Sequence, residues 1–292
     1  MSTRKRLSEV FNSAREITFD DDSKFIFFSD CHRGDNSWAD DFAHNQNLFF
    51  FALKWYFENE FTYIEIGDGD EIWENRNFAA IRNAHSHVFW LMREFHRKNR
   101  LYFVFGNHDI IKKSPRFIEK ELSPYFDESI DNDEQTSRHI ETHEGLILKH
   151  STKGKKIFVI HGYQGELIND RLWWFAQFCV RHVWRHLQLL GIKDPTSPAK
   201  NFKRRIKVEN RIIEWVNNKN QIVIAGHTHR PRFPNDENEP PFFNTGSCVH
   251  PRCITGIEIE KGEIKLIKWW FEPNDSGALC VTRRVLEGPK KL

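Results

Sequence analysis

The chain has 292 residues, 14% of them aromatic, and its 43 Lys and Arg nearly balance 41 Asp and Glu for a net charge of +2. That balance argues against a dedicated nucleic-acid binder, whose domain is usually strongly basic, and excludes an acidic disordered chain. No apolar run reaches the ~20 residues of a membrane-spanning helix, and the basic opening at residues 1–6 has no apolar stretch behind it to make a signal peptide. The five cysteines (Cys31, Cys179, Cys248, Cys253 and Cys280) are odd in number. Free thiols in a reducing compartment fit them better than a disulfide framework, so a cytoplasmic protein is expected. Cys248 and Cys253 with His250 between them are a weak zinc signal, because no second cysteine pair accompanies them.

The predicted elements repeat one design, a short apolar strand that ends abruptly in Asp, Asn or His. Residues 25–28 lead to Ser29-Asp30-Cys31-His32, and a helix is expected over about 38–58. Residues 63–66 lead to Gly67-Asp68, with a helix over about 78–99. Residues 101–105 lead to Gly106-Asn107-His108-Asp109, and the polar stretch at about 125–144, with Asp131-Asn132-Asp133-Glu134, reads as a surface excursion. Residues 157–160 lead to His161-Gly162, and residues 222–225 to Gly226-His227-Thr228-His229. Near-continuous β-branched and aromatic runs of this length read as strands buried on both faces. Alternation with helices predicts a largely parallel sheet core, whose ligands collect beyond the carboxyl ends of the strands.

Two helices are expected between His161 and His227. The first carries Leu172, Trp173, Trp174, Phe175, Phe178, Val183, Trp184, Leu187 and Leu190, with a narrow polar stripe of Gln177, Arg181, Arg185 and Gln188. A helix packed on one side needs only a ~100° apolar face, so this one should pack on two sides or line an apolar pocket. Gly191 and Pro195 mark the break before the second helix, at about 198–217. There Lys200, Lys203, Arg204, Arg205 and Lys207 alternate with Phe202, Ile206, Ile212, Ile213 and Trp215, and the basic stretch reads as a solvated face. Past Ser247, residues 253–260 and 263–271 form a hairpin around Lys261-Gly262, and 279–286 adds a further strand. With no linker and no fixed-period repeat, residues 1–292 read as one domain with a helical insertion at about 165–218.

Asp30 and His32, two apart past a strand end, point the same way on an extended chain and can reach one cation. His227 and His229 repeat the spacing, and Asp68, Asn107 and His161 add three more ligand types. Seven is too many for one tetrahedral ion and suits two ions sharing a carboxylate. Mixed imidazole, carboxylate and amide ligands fit Mn, Fe, Zn, Co or Ni. A lone Asp or His at a strand end is usually a turn residue or a satisfied side chain; the concurrence of five clusters outweighs that. His85 and His87, two apart on an expected helix, face different ways and receive no metal role.

Asp30-Cys31-His32, Gly67-Asp68, Gly106-Asn107-His108-Asp109, His161-Gly162 and Gly226-His227-Thr228-His229 resemble the five blocks of the calcineurin-like metallophosphoesterases over about residues 24–250, and Asn244-Thr245-Gly246-Ser247 resembles the turn after the last block. The resemblance implies a four-layer αββα sandwich of two mixed β-sheets with a helical lid insertion. It also implies two divalent metal ions, with Mn the first choice. Asp30, His32, Asp68 and His229 would hold one ion, and Asp68, Asn107, His161 and His227 the other, with Asp68 bridging. His108 would be the catalytic or phosphate-contacting histidine. The chain departs from the common pattern at Glu71, where an Asp is usual, and Gly69-Asp70 offers a second candidate bridge, although Asp68 directly follows the strand. Gly67-Asp68-Gly69-Asp70-Glu71-Ile72-Trp73 and Gly226-His227-Thr228-His229-Arg230-Pro231 are similar to the UDP-2,3-diacylglucosamine hydrolases, which carry a helical lid at the same place. Asn107-His108-Asp109 departs from the Asn-Arg-Asp usual in those enzymes.

The chemistry expected is hydrolysis of a phosphate ester, whether monoester, diester or pyrophosphate. Two cations ~3.5–4 Å apart clamp the phosphoryl oxygens and activate water, and His108 protonates the leaving oxygen. Asp109 is expected to orient a neighbour, and Arg33 and Arg230 either to contact phosphate or to form surface ion pairs. The partner is a phosphorylated substrate, with an apolar part if the Trp-rich insertion lines its path. Three alternatives stay open: a phosphoprotein substrate, a non-catalytic metal-bearing scaffold, and a nuclease with a local basic groove.

Overall fold

Alternation of side chains sorts the strands into layers. In β2 (Phe25–Phe28), Phe25 and Phe27 face one apolar cluster and Ile26 and Phe28 another, and all four are buried. This is the pattern of a strand covered on both faces. The computed structural model describes residues 2–127, 139–184, 202–236 and 238–292. The expectations for Asp131–Glu134 and for Arg185, Leu187, Gln188, Leu190, Gly191, Pro195 and Lys200 fall outside the described residues.

Before β2 run helix α1 (Thr3–Ser13) and strand β1 (Arg15–Phe19). After it come α2 (Gln46–Glu58), β3 (Thr62–Ile66), α3 (Phe78–Ala84), α4 (Ser86–Arg97) and β4 (Leu101–Val104). The remaining strands are β5 (Thr142–His143), β6 (Gly145–His150), β7 (Lys156–Ile160), β8 (Ile222–Ala225), β9 (Pro231–Arg232), β10 (Phe242–Thr245), β11 (Cys253–Glu260), β12 (Glu263–Pro273) and β13 (Leu279–Lys291). They build two mixed sheets, one ordered β13-β12-β11-β2-β3-β4-β5 and the other β1-β6-β7-β8-β10-β9. The hairpin expected after Ser247 is β11-β12, and the strand expected at 279–286 continues to Lys291.

Phe25, Phe27, Ile64, Ile66 and Ile257 of the first sheet meet Leu146, Leu148, Ile157, Val159 and Ile224 of the second in the central layer. Each such fully buried side chain contributes about 1.5–3 kcal/mol. On the outer face of the first sheet, α2, α3 and α4 bring Leu48, Phe49, Leu53, Ile81, Phe89 and Phe95 against Phe28, Tyr63 and Phe103. On the outer face of the second, α1 and the helix Phe202–Lys219 bring Leu7, Val10, Ile212 and Trp215 against Phe158, Ile160 and Val223. Trp215 Nε1 donates to Ser8 Oγ at 2.9 Å, which satisfies its polar edge and joins the two helices. The layers are therefore α, β, β and α, as the resemblance implied.

Two expected helices are shorter than the pattern suggested. The first begins at Gln46 rather than near 38, because Asp40 ties the preceding chain into turns by accepting from the backbone N–H groups of Asn36, Phe42 and Ala43. The second breaks at His85, whose ring bonds Asp40 Oδ2 at 2.8 Å.

Candidate active site

β2, β3 and β4 run parallel in register, with Phe28 opposite Glu65 and Ile66 opposite Val104. Their C-terminal loops therefore leave the first sheet together, carrying Asp30 and His32, Asp68, and Asn107 and His108. β7 and β8 are parallel neighbours in the second sheet, with Val159 opposite Ile224, and carry His161, His227 and His229. Backbone bonds stitch neighbouring loops together, within each sheet and from one to the other: Asp30 N–H donates to Gly67 O at 3.1 Å, Gly226 N–H to His161 O at 2.9 Å, and Cys248 N–H to Asp30 O at 3.2 Å.

All seven residues expected to bind metal are brought together at this junction. One group joins Asp30, His32 and His229, and a second joins Asp68, His161 and His227, with the potential ligand atoms of each group within 4.8 Å of one another. Asp68 Oδ2 lies 3.1 Å from His161 Nε2 and 3.9 Å from His32 Nε2, which places its carboxylate between the groups. Asn107 is buried beside them, and Asp30 Oδ1, Asn107 Oδ1 and His161 Nε2 are buried without a well-aligned hydrogen-bond partner. Buried polar atoms are ordinarily satisfied. Three unsatisfied ones in a single donor set of carboxylate, amide and imidazole fit divalent cations.

The backbone is strained to achieve this. Asp30, His32, Asp68, His227 and His229 all adopt positive φ, between 49° and 68°. Such conformations cost of order 1–3 kcal/mol each and persist where the surroundings impose them. The alignment of Asp30 with His32 thus arises from left-handed turns rather than from the extended chain that the two-residue spacing suggested. Neighbouring glycines clear the space: a Cβ on Gly106 would lie 2.1 Å from Asp68 Oδ1, and one on Gly226 would lie 2.3 Å from Ser29 Oγ.

Outer contacts fix the ring orientations. His161 Nδ1–H donates to Ile66 O at 2.8 Å, leaving Nε2 toward the cluster. His32 Nδ1 and His108 Nδ1 each lie 2.8 Å from one oxygen of Glu71, a single carboxylate serving two imidazoles. His227 Nε2 lies 2.5 Å from Glu166 Oε1. The His108 ring also stacks on Trp73, with centroids 4.3 Å apart, and the His108 backbone N–H donates to Asp68 Oδ1 at 2.8 Å. Burial would favour neutral imidazole, but Glu71 and Asp68 outweigh it and push His108 up to about 10 in the metal-free chain; Asp68 and Asp30 likewise push His161 up to about 9. Burial opposes ionisation of Glu71, yet His108 and His32 hold it down to about 2.

Most of the cluster is buried, while His229 and His108 keep 20% and 24% of their side chains exposed and so mark its mouth. Beyond it, the insertion runs as helical segments over Leu167–Arg171, Trp173–Cys179 and Val180–Trp184. Arg181 clamps it to the site by donating to Ile72 O and Trp73 O at 2.9 and 3.1 Å. Trp173 packs on Phe105, Ile110 and Tyr163, but Leu167, Trp174, Phe175 and Phe178 are more than half exposed. Within the described residues the insertion is therefore not packed on two sides.

Arg33 needs a correction. It is fully buried, with both terminal nitrogens on Glu65 at 2.7 and 2.8 Å and Nε on Asp70 at 2.8 Å, so it does not reach a phosphate. Asp70, the alternative bridge, is held in this network by Arg33 and by Lys112 at 2.7 Å, away from both ligand groups. Asp109 accepts from the backbone N–H groups of Asp68, Gly69 and Gly106 and from Lys112, the orienting part expected of it. Arg230 is exposed. Cys253 Sγ lies 3.4 Å from His250, whereas Cys248 is buried against Cys31, so the weak zinc signal does not assemble. Glu166 and the double contact of Glu71 escaped the sequence reading. A non-standard acid three residues past Asp68 hinted at Glu71; Glu166 had no signal, since its partner His227 lies 61 residues away.

No curated protein matches the chain. Among solved structures it is similar to Vps29 of Chaetomium thermophilum, at 9% identity over 90% of this chain and 96% of that one, with a TM-score of 0.39. It is similar to a cold-active protein-tyrosine phosphatase of a psychrophilic Shewanella species, at 12% identity over 94% and 82%, with a TM-score of 0.42. It is similar to 5'-nucleotidase from Candida albicans, at 12% identity over 93% and 52%, with a TM-score of 0.32. No helix among the described residues is long and apolar enough to cross a membrane. The calcineurin-like phosphoesterase profile matches residues 23–231, which span every one of the strand-end clusters, and the chain belongs to that family of metal-dependent phosphoesterases.

Proposed function

We propose that the chain is a binuclear phosphoester hydrolase formed as one domain with a helical insertion. Asp30, His32, Asp68 and His229 hold one divalent cation, and Asp68, Asn107, His161 and His227 hold the other. The observation that carries this reading is the pair of adjacent ligand groups, with the Asp68 carboxylate facing both and three buried atoms without a well-aligned hydrogen-bond partner. Bound cations there supply the positive charge that neutralises phosphoryl oxygens and makes water acidic enough to react at neutral pH.

The chain's own groups do the rest. Asp68 spans the two positions and accepts the backbone N–H of His108, which anchors the His108 backbone beside both. Glu71 occupies His108 Nδ1, which leaves Nε2 as the atom that delivers a proton to the leaving oxygen. Glu71 and the Trp73 face limit rotation of that ring, and the partial exposure of His108 lets a substrate reach it. Trp174, Phe175 and Phe178 are exposed on the segment that Arg181 ties to Ile72 and Trp73, and that apolar face favours a phosphoester that carries an apolar part.

The test is a side-by-side activity panel of phosphomonoester, phosphodiester, pyrophosphate and phosphopeptide substrates, with protein reconstituted in Mn2+, Co2+, Zn2+ or Fe2+. Turnover that needs the metal and is lost on chelation is expected. Absence of turnover on every substrate, in protein shown to hold its ions, would leave a scaffold.

A further inference from the structure

Glu166 stands at the root of the insertion, immediately before the helical segment Leu167–Arg171, and only 7% of it is exposed. Burying a carboxylate is costly unless it is fully bonded, and this one is. Oε2 accepts from Arg204 Nη2 at 3.0 Å and from Asn169 Nδ2 at 3.1 Å, and Oε1 faces His227 Nε2 at 2.5 Å. Arg204 belongs to the helix Phe202–Lys219, the second helix of the insertion. The carboxylate therefore joins the first and last parts of the insertion to one candidate ligand.

A carboxylate oxygen can only accept, so His227 Nε2 must carry the proton. The neutral ring then has its lone pair on Nδ1. His227 nevertheless offers a ring nitrogen within 4.8 Å of ligand atoms of Asp68 and His161, a group that Glu166 does not join. With the Nε2 proton engaged by Glu166, Nδ1 is the ring nitrogen whose lone pair is left for a cation held with Asp68 and His161. The other two rings whose outer contacts are fixed, His32 and His161, use the opposite nitrogen, because Glu71 and Ile66 O occupy their Nδ1 atoms.

We infer that Glu166 is a positioning residue for the second cation position: it selects the Nδ1-ligating tautomer of His227 and locks the ring, and its grip on Arg204 ties that position to the root of the insertion. The inference rests on the two-cation reading above. Partners of this kind change metal affinity by about 10–100-fold when removed. An amide oxygen in place of the carboxylate still accepts from Nε2–H, so Glu166→Gln retains the tautomer while losing the charge.

The test is titration of metal-free protein with Co2+, followed by visible absorption and equilibrium dialysis, in wild type, Glu166→Ala and Glu166→Gln, with far-UV circular dichroism as the control for folding. Wild type is expected to take up two equivalents. Glu166→Ala should keep the first equivalent and weaken the second by about 10–100-fold, and Glu166→Gln should recover most of that loss. Unchanged affinity for both equivalents in Glu166→Ala, or equal weakening of both in Glu166→Gln with the fold intact, overturns the positioning role. Failure of wild type itself to bind two equivalents is a different result and overturns the two-cation reading.

Discussion

His108 is held from three directions, by Glu71 at Nδ1, by Trp73 on its face and by Asp68 at its backbone N–H, and truncating its ring keeps both the backbone N–H on Asp68 and the Glu71 contact to His32. His108→Ala should therefore lower turnover by about 10²–10⁴-fold, the usual contribution of a positioned acid, and leave metal content intact. The loss should shrink for aryl phosphates whose leaving group needs no proton; an equal loss for good and poor leaving groups would assign His108 to phosphate binding instead. The neighbouring aspartates separate just as sharply. Asp68→Asn should remove activity along with most of the metal. Asp70→Asn should leave metal in place but cost about 3–5 kcal/mol of stability, because Arg33 and Lys112 are then buried without their full counter-charge. Metal analysis and urea unfolding of both variants check this, and the reverse assignment would make Asp70 the bridge. Residue identity at strand ends was legible because ligand chemistry is written in the side chain itself. Which way Arg33 turns was not, because adjacency to His32 says nothing about the Glu65 carboxylate that captures it from the next strand.

At the scale of elements, the buried strands were readable from their unbroken apolar runs, and the helix limits were not. Asp40 holds residues 36–43 in turns through its own near neighbours, and His85, which interrupts what looks like one helix, bonds that same Asp40 from 45 residues away, a contact no local pattern encodes. The insertion is the other departure. Its broadly apolar sequence predicted packing on two sides or the lining of an apolar pocket; Trp174 is 58% exposed on a segment that Arg181 clamps to Ile72, which departs from the first of these. Trp174→Ala should raise KM for an amphiphilic phosphoester by roughly tenfold, the effect of losing part of one buried aromatic ring, while sparing a small aryl phosphate. Equal effects on both substrates would detach the apolar face from substrate selection.

Across the whole molecule, the candidate ligands come from both sheets: Asp30, His32, Asp68 and Asn107 from the strand ends of one, and His161, His227 and His229 from those of the other. Cations at their junction would add a cross-link between two layers already joined by apolar packing and by hydrogen bonds such as His227 N–H to Asp30 Oδ2 and His161 Nδ1–H to Ile66 O. Binding to the folded chain alone stabilises it by about 4 kcal/mol per site when free metal exceeds Kd a thousandfold. Chelation should accordingly lower Tm by several degrees, and metal should restore it; calorimetry that finds Tm indifferent to both would show that the junction is not closed by ions. The most direct measurement is the metal content of the reconstituted chain. Elemental analysis after dialysis against excess divalent metal is predicted to approach two ions per chain in wild type and to fall well below that in Asp68→Asn. A saturating value near zero in the folded wild-type protein would contradict the account.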